Sequence, residues 1–315
     1  MREHPTKPEA SFDEVFSIAH GEMVALAARG GPLGKRLFAA ALEIPARALA
    51  RSLVALDRDL ARGSLRDAAL ARLRHYGAEA RLDLGAGRTV RLAALDPSRS
   101  PLPAEGPLLV VSNHPGLFDA LALFAAIGRE DLAILAARRP LLTALPHLSR
   151  RLLLIDPGAS GAVALKMALR HLRGGGALLH FPAGRIEPDP LVSPRGTPLL
   201  LPWKAGIGTL LDVATRLLPT LRAAPALVSG VISPRALTLA RAAGWAGGDA
   251  LTDALVPLLQ LTFPGFRDTD LRVRFGEDHA VGTGLSARLR EELAQMALAA
   301  SPPRRSRFNR GAKAA

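Results

Sequence analysis

Cysteine is absent from the chain, and that one gap removes disulfides, thiolate zinc sites, iron–sulfur clusters and a thiol nucleophile. Aromatic residues are scarce, 4% with a single tyrosine, so platforms for stacking single-stranded nucleic acid are few. No uncharged apolar run reaches the ~20 residues that span a bilayer. The longest candidate, Ala254 to Phe266, is broken by two prolines. The opening Met1-Arg2-Glu3-His4-Pro5 lacks the apolar core of a signal peptide. These gaps predict a protein of the reducing cytoplasm, in solution or at a membrane surface.

Acidic residues are also in short supply. Against 28 Asp+Glu stand 41 Lys+Arg, a formal net charge of +13 over 315 residues. Only five of the cations are lysines (Lys7, Lys35, Lys166, Lys204, Lys313), so arginine supplies the other 36. Such a balance points to polyanionic company: nucleic acid, anionic lipid headgroups or phosphorylated substrates. The excess is uneven. Residues 129–185 hold nine basic and three acidic side chains, and the last fifteen hold five basic and no acidic ones. That end, residues 301–315, has little apolar content and reads as a disordered basic tail.

Residues 1–80 read as a helical region. Leu49, Leu53, Leu56 and Leu60 recur at helical spacing, with Arg47, Arg51, Arg58 and Arg62 on other faces. Arg29-Gly30-Gly31-Pro32 marks a break, and Pro45 suits the first turn of the helix that follows. Two roles fit: a helical hairpin that covers the core, or a basic amphipathic helix lying on an anionic membrane.

From residue 81 to 300, short apolar runs alternate with helical stretches. Leu108–Ser112, Leu132–Ala136, Leu152–Ile155, Ala177–Phe181, Ala226–Ser233 and Leu271–Phe275 are the expected strands. Leu117–Ile127, Gly161–Arg173 and Gly206–Leu218 are the expected helices. The alternation predicts one α/β domain with a mostly parallel central sheet flanked by helices.

Two turns carry chemistry. In Val110-Val111-Ser112-Asn113-His114-Pro115-Gly116-Leu117-Phe118-Asp119 a strand ends at a histidine, and an aspartate opens the next helix. Active sites of open α/β sheets sit at the carboxyl ends of strands. A carboxylate on one imidazole nitrogen fixes the tautomer and leaves the other as a general base. On spacing alone, the same residues serve equally well as a helix cap. A metal site is the weaker reading, because no second histidine stands at helical or hairpin spacing from His114. In Leu178-Leu179-His180-Phe181-Pro182-Ala183-Gly184-Arg185 another strand runs into a Pro-x-Gly turn with an arginine behind it, a place where amides and a guanidinium meet phosphate. A solvated arginine after a turn is the commoner explanation of that second element.

Taken together and in order, these elements resemble the glycerophospholipid acyltransferase superfamily, lysophosphatidic acid acyltransferase type. Asn113-His114-x4-Asp119 matches its Asn-His-x4-Asp box, and Phe181-Pro182-Ala183-Gly184 matches its Phe-Pro-Glu-Gly box. Leu153–Asp156 falls at its second block, Trp203-Lys204-Ala205-Gly206 at its Lys-x-Gly element, and Val228–Pro234 at its last apolar strand. The resemblance covers roughly residues 85–280. It implies transfer of a fatty acyl chain from an acyl thioester, on coenzyme A or acyl-carrier protein, to a hydroxyl of a lysophospholipid or related lipid acceptor.

On that resemblance His114 is the base and Asp119 its orienting carboxylate, with Asn113 and Gly116 supporting the turn. Phe181, Pro182, Ala183, Gly184, Arg185, Arg150, Arg151, Lys166 and Lys204 are the expected substrate-binding residues. Direct attack by the acceptor oxygen needs no covalent enzyme intermediate, in keeping with the missing cysteine and the missing Gly-x-Ser-x-Gly elbow. No bound cofactor is implied, since the thioester is a co-substrate. The expected partners are the acyl donor, the lipid acceptor and an anionic membrane surface on the inner face of the cell membrane, and not nucleic acid. Two departures stand out: Ala183 occupies the glutamate position of the second box, and Pro157 stands where an arginine is usual. They point away from a phosphomonoester acceptor, and they open the alternative of a catalytically impaired lipid-binding protein of the same fold.

Overall fold

The computed structural model describes residues 9–27, 32–96, 100–116, 118–193, 196–242 and 250–301. The basic tail expected at 301–315 falls outside them, apart from Ser301. The chain begins with three helices, α1 (Phe12–Ala27), α2 (Pro32–Arg62) and α3 (Leu65–His75), followed by a hairpin of β1 (Arg81–Asp83) and β2 (Thr89–Arg91). Then come β3 (Leu108–Ser112), α4 (Asp119–Ile127), β4 (Ala133–Ala137), α5 (Pro140–Thr143), α6 (Pro146–Ser149), β5 (Leu152–Ile155), α7 (Gly161–Arg173) and β6 (Ala177–His180). The remainder is α8 (Gly206–Leu217), β7 (Arg222–Ser229), α9 (Pro234–Ala242), α10 (Ala250–Thr262), β8 (Arg272–Phe275), β9 (His279–Ala280) and α11 (Leu285–Ala300).

The strands form one sheet in the order β2-β1-β8-β7-β3-β6-β4-β5, with β9 beside β7. Its centre, β7-β3-β6-β4-β5, is parallel throughout, while β8 and β9 run antiparallel to β7. The predicted mostly parallel α/β sheet is therefore what the chain forms. β3 lies in the middle and all five of its residues are buried, as a strand covered on both faces must be. Leu108 and Val110 join a core with α3, α4 and the N-terminal helices. Leu109 and Val111 face α7, α8 and α11.

The N-terminal helices share that first core: Val15, Ala50, Val54, Leu56 and Leu60 belong to the same buried cluster as Leu108 and Val110. Several arginines of α2 are engaged locally, Arg47 with Glu43 and over the Phe16 ring, Arg58 and Arg62 near Glu9. Through their buried residues the N-terminal helices cover the core. Among the described residues no helix is long and apolar enough to cross a membrane. α3 starts where Ser64 accepts the Asp67 N–H at 3.0 Å, a side-chain cap.

Two elements differ from expectation by more than two residues at a boundary. α2 begins at Pro32, and Pro45 lies inside it. A proline suits any first turn, so the residue type alone did not choose between the two, and the helix tolerates one missing hydrogen bond because tertiary packing supports it. β7 spans Arg222–Ser229 instead of 226–233. The apolar run continues past Ser229 because Val231 is buried in the following turn, not because the strand continues. Pro225 is admitted mid-strand because it falls between the stretches of β7 paired with β8 and with β9.

Candidate active site

β3, β6 and β7 are parallel, so their carboxyl ends gather along one edge of the sheet, where the two boxes lie. His114 follows β3 by two residues. Its Nδ1–H donates to Asp119 Oδ2 at 2.7 Å, which leaves Nε2 as the basic nitrogen. No hydrogen bond to Nε2 is found among the described residues, and the side chain is 30% exposed while that of Asp119 is 1% exposed. Asp119 sits at the first residue of α4, where the helix amides favour negative charge. Its Oδ2 also accepts the Gly116 N–H at 2.9 Å. Gly116 has φ of 144°, a conformation open to glycine, and this turns its amide onto the carboxylate.

Asn113 is fully buried and its side chain is spent on structure. Nδ2 donates to the Val228 carbonyl and Oδ1 accepts the Val228 N–H, each at 2.8 Å. Burial pulls the His114 pKa down, but the Asp119 charge and hydrogen bond, helped by the Glu187 charge, outweigh it and raise the pKa above the ordinary imidazole value.

The second box folds onto the first. The Phe181 ring stacks on the His114 imidazole with centroids 4.4 Å apart. Pro182 and Ala183 are buried and Arg185 is exposed. The Gly184 N–H closes a turn onto the Phe181 carbonyl at 3.0 Å. Lys204 N–H donates to the Pro182 carbonyl at 3.0 Å, and its side chain runs alongside Gly184. His180, which the sequence places inside an apolar strand, has a buried Nδ1 without a partner. Burial, with the Lys204 charge second, pulls its pKa down to about 4.

The other expected cations are not gathered here. Arg150 and Arg151 precede β5, at the amino end of a strand parallel to β3 through β4 and β6. That is the opposite end of the sheet from His114. Arg151 pairs there with Glu130 at 3.1 Å. Lys166 is exposed on α7, whose buried residues Ala168 and Leu172 pack on the second core, so it belongs to a solvated helix face. Arg138, at the carboxyl end of β4, pairs with Asp156, and Arg129 with Asp131 at 2.6 Å. The three acids of the 129–185 stretch thus each hold one of its arginines, and the remaining cations are spread over both ends of the sheet and α7. No group of three His, Asp or Glu arranged to hold a metal occurs among the described residues.

Two acidic residues escaped the sequence reading. Glu187, 2% exposed, accepts the His114 N–H at Oε2 (3.1 Å) and the Leu201 N–H at Oε1 (2.8 Å), and its own N–H donates to the His114 carbonyl at 2.8 Å. Asp189, 1% exposed, accepts amides of Leu191, Gly230 and Ile232 at 3.0, 2.8 and 2.9 Å. It thereby clamps the turn after β7 that brings Val231 behind Gly116. A Glu-x-Asp pair beyond the Pro-x-Gly turn is the local signal, and most of its partners lie far away in sequence.

No family model matches the sequence, and no curated protein matches it significantly. The fold is similar to the crystal structure of the 1-acyl-sn-glycerophosphate (LPA) acyltransferase PlsC from Thermotoga maritima, with TM-score 0.45 and 14% identity over 90% of this chain and 96% of that one. A likeness of that size carries no argument about chemistry, which His114, Asp119 and their surroundings must supply.

Proposed function

We propose that the chain is an acyltransferase that moves a fatty acyl group from an acyl thioester to a hydroxyl of a lipid acceptor. The observation that carries the reading is the His114–Asp119 pair, 2.7 Å apart at the carboxyl end of β3, with Nε2 unclaimed among the described residues. The order of the two boxes, and the stacking of Phe181 on His114, support the same conclusion. Nε2 takes the acceptor's hydroxyl proton as the oxygen attacks the thioester carbonyl. Asp119 stabilises the imidazolium that forms. The C–S bond then breaks, and the thiolate leaves with the proton that Nε2 returns. Coenzyme A or acyl-carrier protein as donor, a lysolipid as acceptor and an anionic membrane surface as the meeting place belong to this proposal.

The test is transfer from a radiolabelled long-chain acyl thioester to a panel of lysolipids in mixed vesicles. His114→Ala is expected to lose ~10²-fold or more in rate while keeping its circular dichroism and its melting transition. Full activity in that variant overturns the catalytic assignment. Acyl-chain binding by the wild type without consumption of any thioester favours the lipid-binding reading that Ala183 and Pro157 raised.

A further inference from the structure

Two buried carboxylates hold His114, and only Asp119 touches its ring. Glu187 binds both main-chain polar groups of the histidine, accepting from its N–H and donating to its carbonyl. His114 lies just past the ladders: the last β3–β6 pair is Val111 with His180, and the last β3–β7 pair is Ser112 with Ala226. No neighbouring strand pins it, and buried main-chain groups must find partners. The two Glu187 carboxylate oxygens accept two backbone N–H groups, which an amide side chain with one acceptor oxygen cannot do. The negative charge this buries lies beside His114, the nearby group that gains positive charge, and acts on it.

We propose that Glu187 is a positioning residue for His114: tied to both main-chain groups of that histidine, its carboxylate holds the ring against Asp119 and stabilises the positive charge the ring acquires with a proton. Both Glu187 oxygens accept backbone N–H groups, as suits the ionised form. Burial raises its pKa, while the amides of Leu201 and His114 and the positive charges of His114 and Arg185 oppose the rise. Among the described residues the groups that face His114 are Asp119 from α4, Glu187 and the Phe181 ring from the segment after β6, with the Arg185 charge offsetting Glu187 and the Lys204 charge acting on His180. The Leu201 bond extends the same anchor to the segment that leads to Lys204.

The inference rests on the proposed function only in that His114 takes up a proton, so its test uses no substrate. The full chain, labelled at its eight histidines, is titrated by NMR, with the His114 signal identified by its loss in His114→Gln. In Glu187→Gln the His114 midpoint is expected to fall by about one pH unit, with the Nδ1–H tautomer retained. An unchanged midpoint in folded Glu187→Gln overturns the proposal. Should that variant fail to fold, the wild type decides: the Glu187 carboxyl carbon is expected to show an inflection at the His114 midpoint, and a curve without it overturns the coupling. If the wild type transfers no acyl group, the acyltransferase reading falls while the titration result stands; the reverse outcome is equally distinguishable.

Discussion

The side-chain amide of Asn113 forms a two-way hydrogen-bonded pair with the backbone of Val228, 115 residues away, and so extends the β3–β7 ladder beyond its last residue pair. The residue immediately before His114 is thereby locked to the central strand, and the histidine inherits that rigidity. Asn113→Ala leaves the Val228 N–H and carbonyl buried and unpaired. The expected cost is about 2–4 kcal/mol in denaturant unfolding, with a fall in transfer rate at permissive temperature. A loss below about 0.5 kcal/mol would show that the pair contributes no stability.

The raised pKa of His114 sets the direction of the pH dependence. Only the neutral ring accepts a proton, so kcat should climb as pH rises through the raised pKa and level off above it. Stability runs the other way. The partner that raises the pKa favours the charged ring, so this contribution is fully present below the unfolded value and is lost as pH rises through the folded one. Asp119→Asn should move the acid limb of the rate profile to lower pH and lower the plateau. A rate that is flat across the neutral range would contradict the role given to His114.

His180 provides an independent acid-side signal. Its pKa is pulled down to about 4, below the ~6.5 of an unfolded histidine, so between these values the unfolded chain binds the extra proton. Stability should therefore fall as pH drops through that window, by up to roughly 3 kcal/mol. In His180→Phe the same unfolding series should show a flatter slope; an identical slope would assign the acid sensitivity to other groups.

Gly230 is the residue on which the turn after β7 depends. It has φ of 70°, and a Cβ there would stand 1.9 Å from the Asp270 carbonyl oxygen, a backbone atom that cannot step aside. Gly230→Ala combines left-handed strain with a clash and should cost about 3 kcal/mol or more. Because Asp189 clamps this turn and Val231 backs Gly116, transfer should fall as well. Wild-type stability in this variant, read by thermal unfolding, would show that the turn relaxes.

Leu108–Ser112, Leu152–Ile155 and Gly161–Arg173 are where run length and periodicity place them, because a strand covered on both faces and an amphipathic helix each write their period locally. His114 and Asp119 are legible as a pair because five residues through one turn suffice to bring them together. Arg150, Arg151 and Lys166 lie between the two boxes in sequence but away from them in the fold. A parallel strand, though, has two ends, and charge counting does not say which end carries the chemistry.

The chain by itself determined the α/β alternation, the absence of thiol chemistry and the two turns that bear the site, all consequences of composition and short-range spacing. Only the tertiary structure decided what surrounds His114. The Val228 backbone that seats Asn113, and the buried Glu187 that ties the histidine's main chain, come from strands and turns far apart in sequence. The same packing spread the basic excess of residues 129–185 over both ends of the sheet and an outer helix face. The physical reason is that a hydrogen-bond partner is selected by strand order and register, and neither is encoded in the local period of the residues that use it.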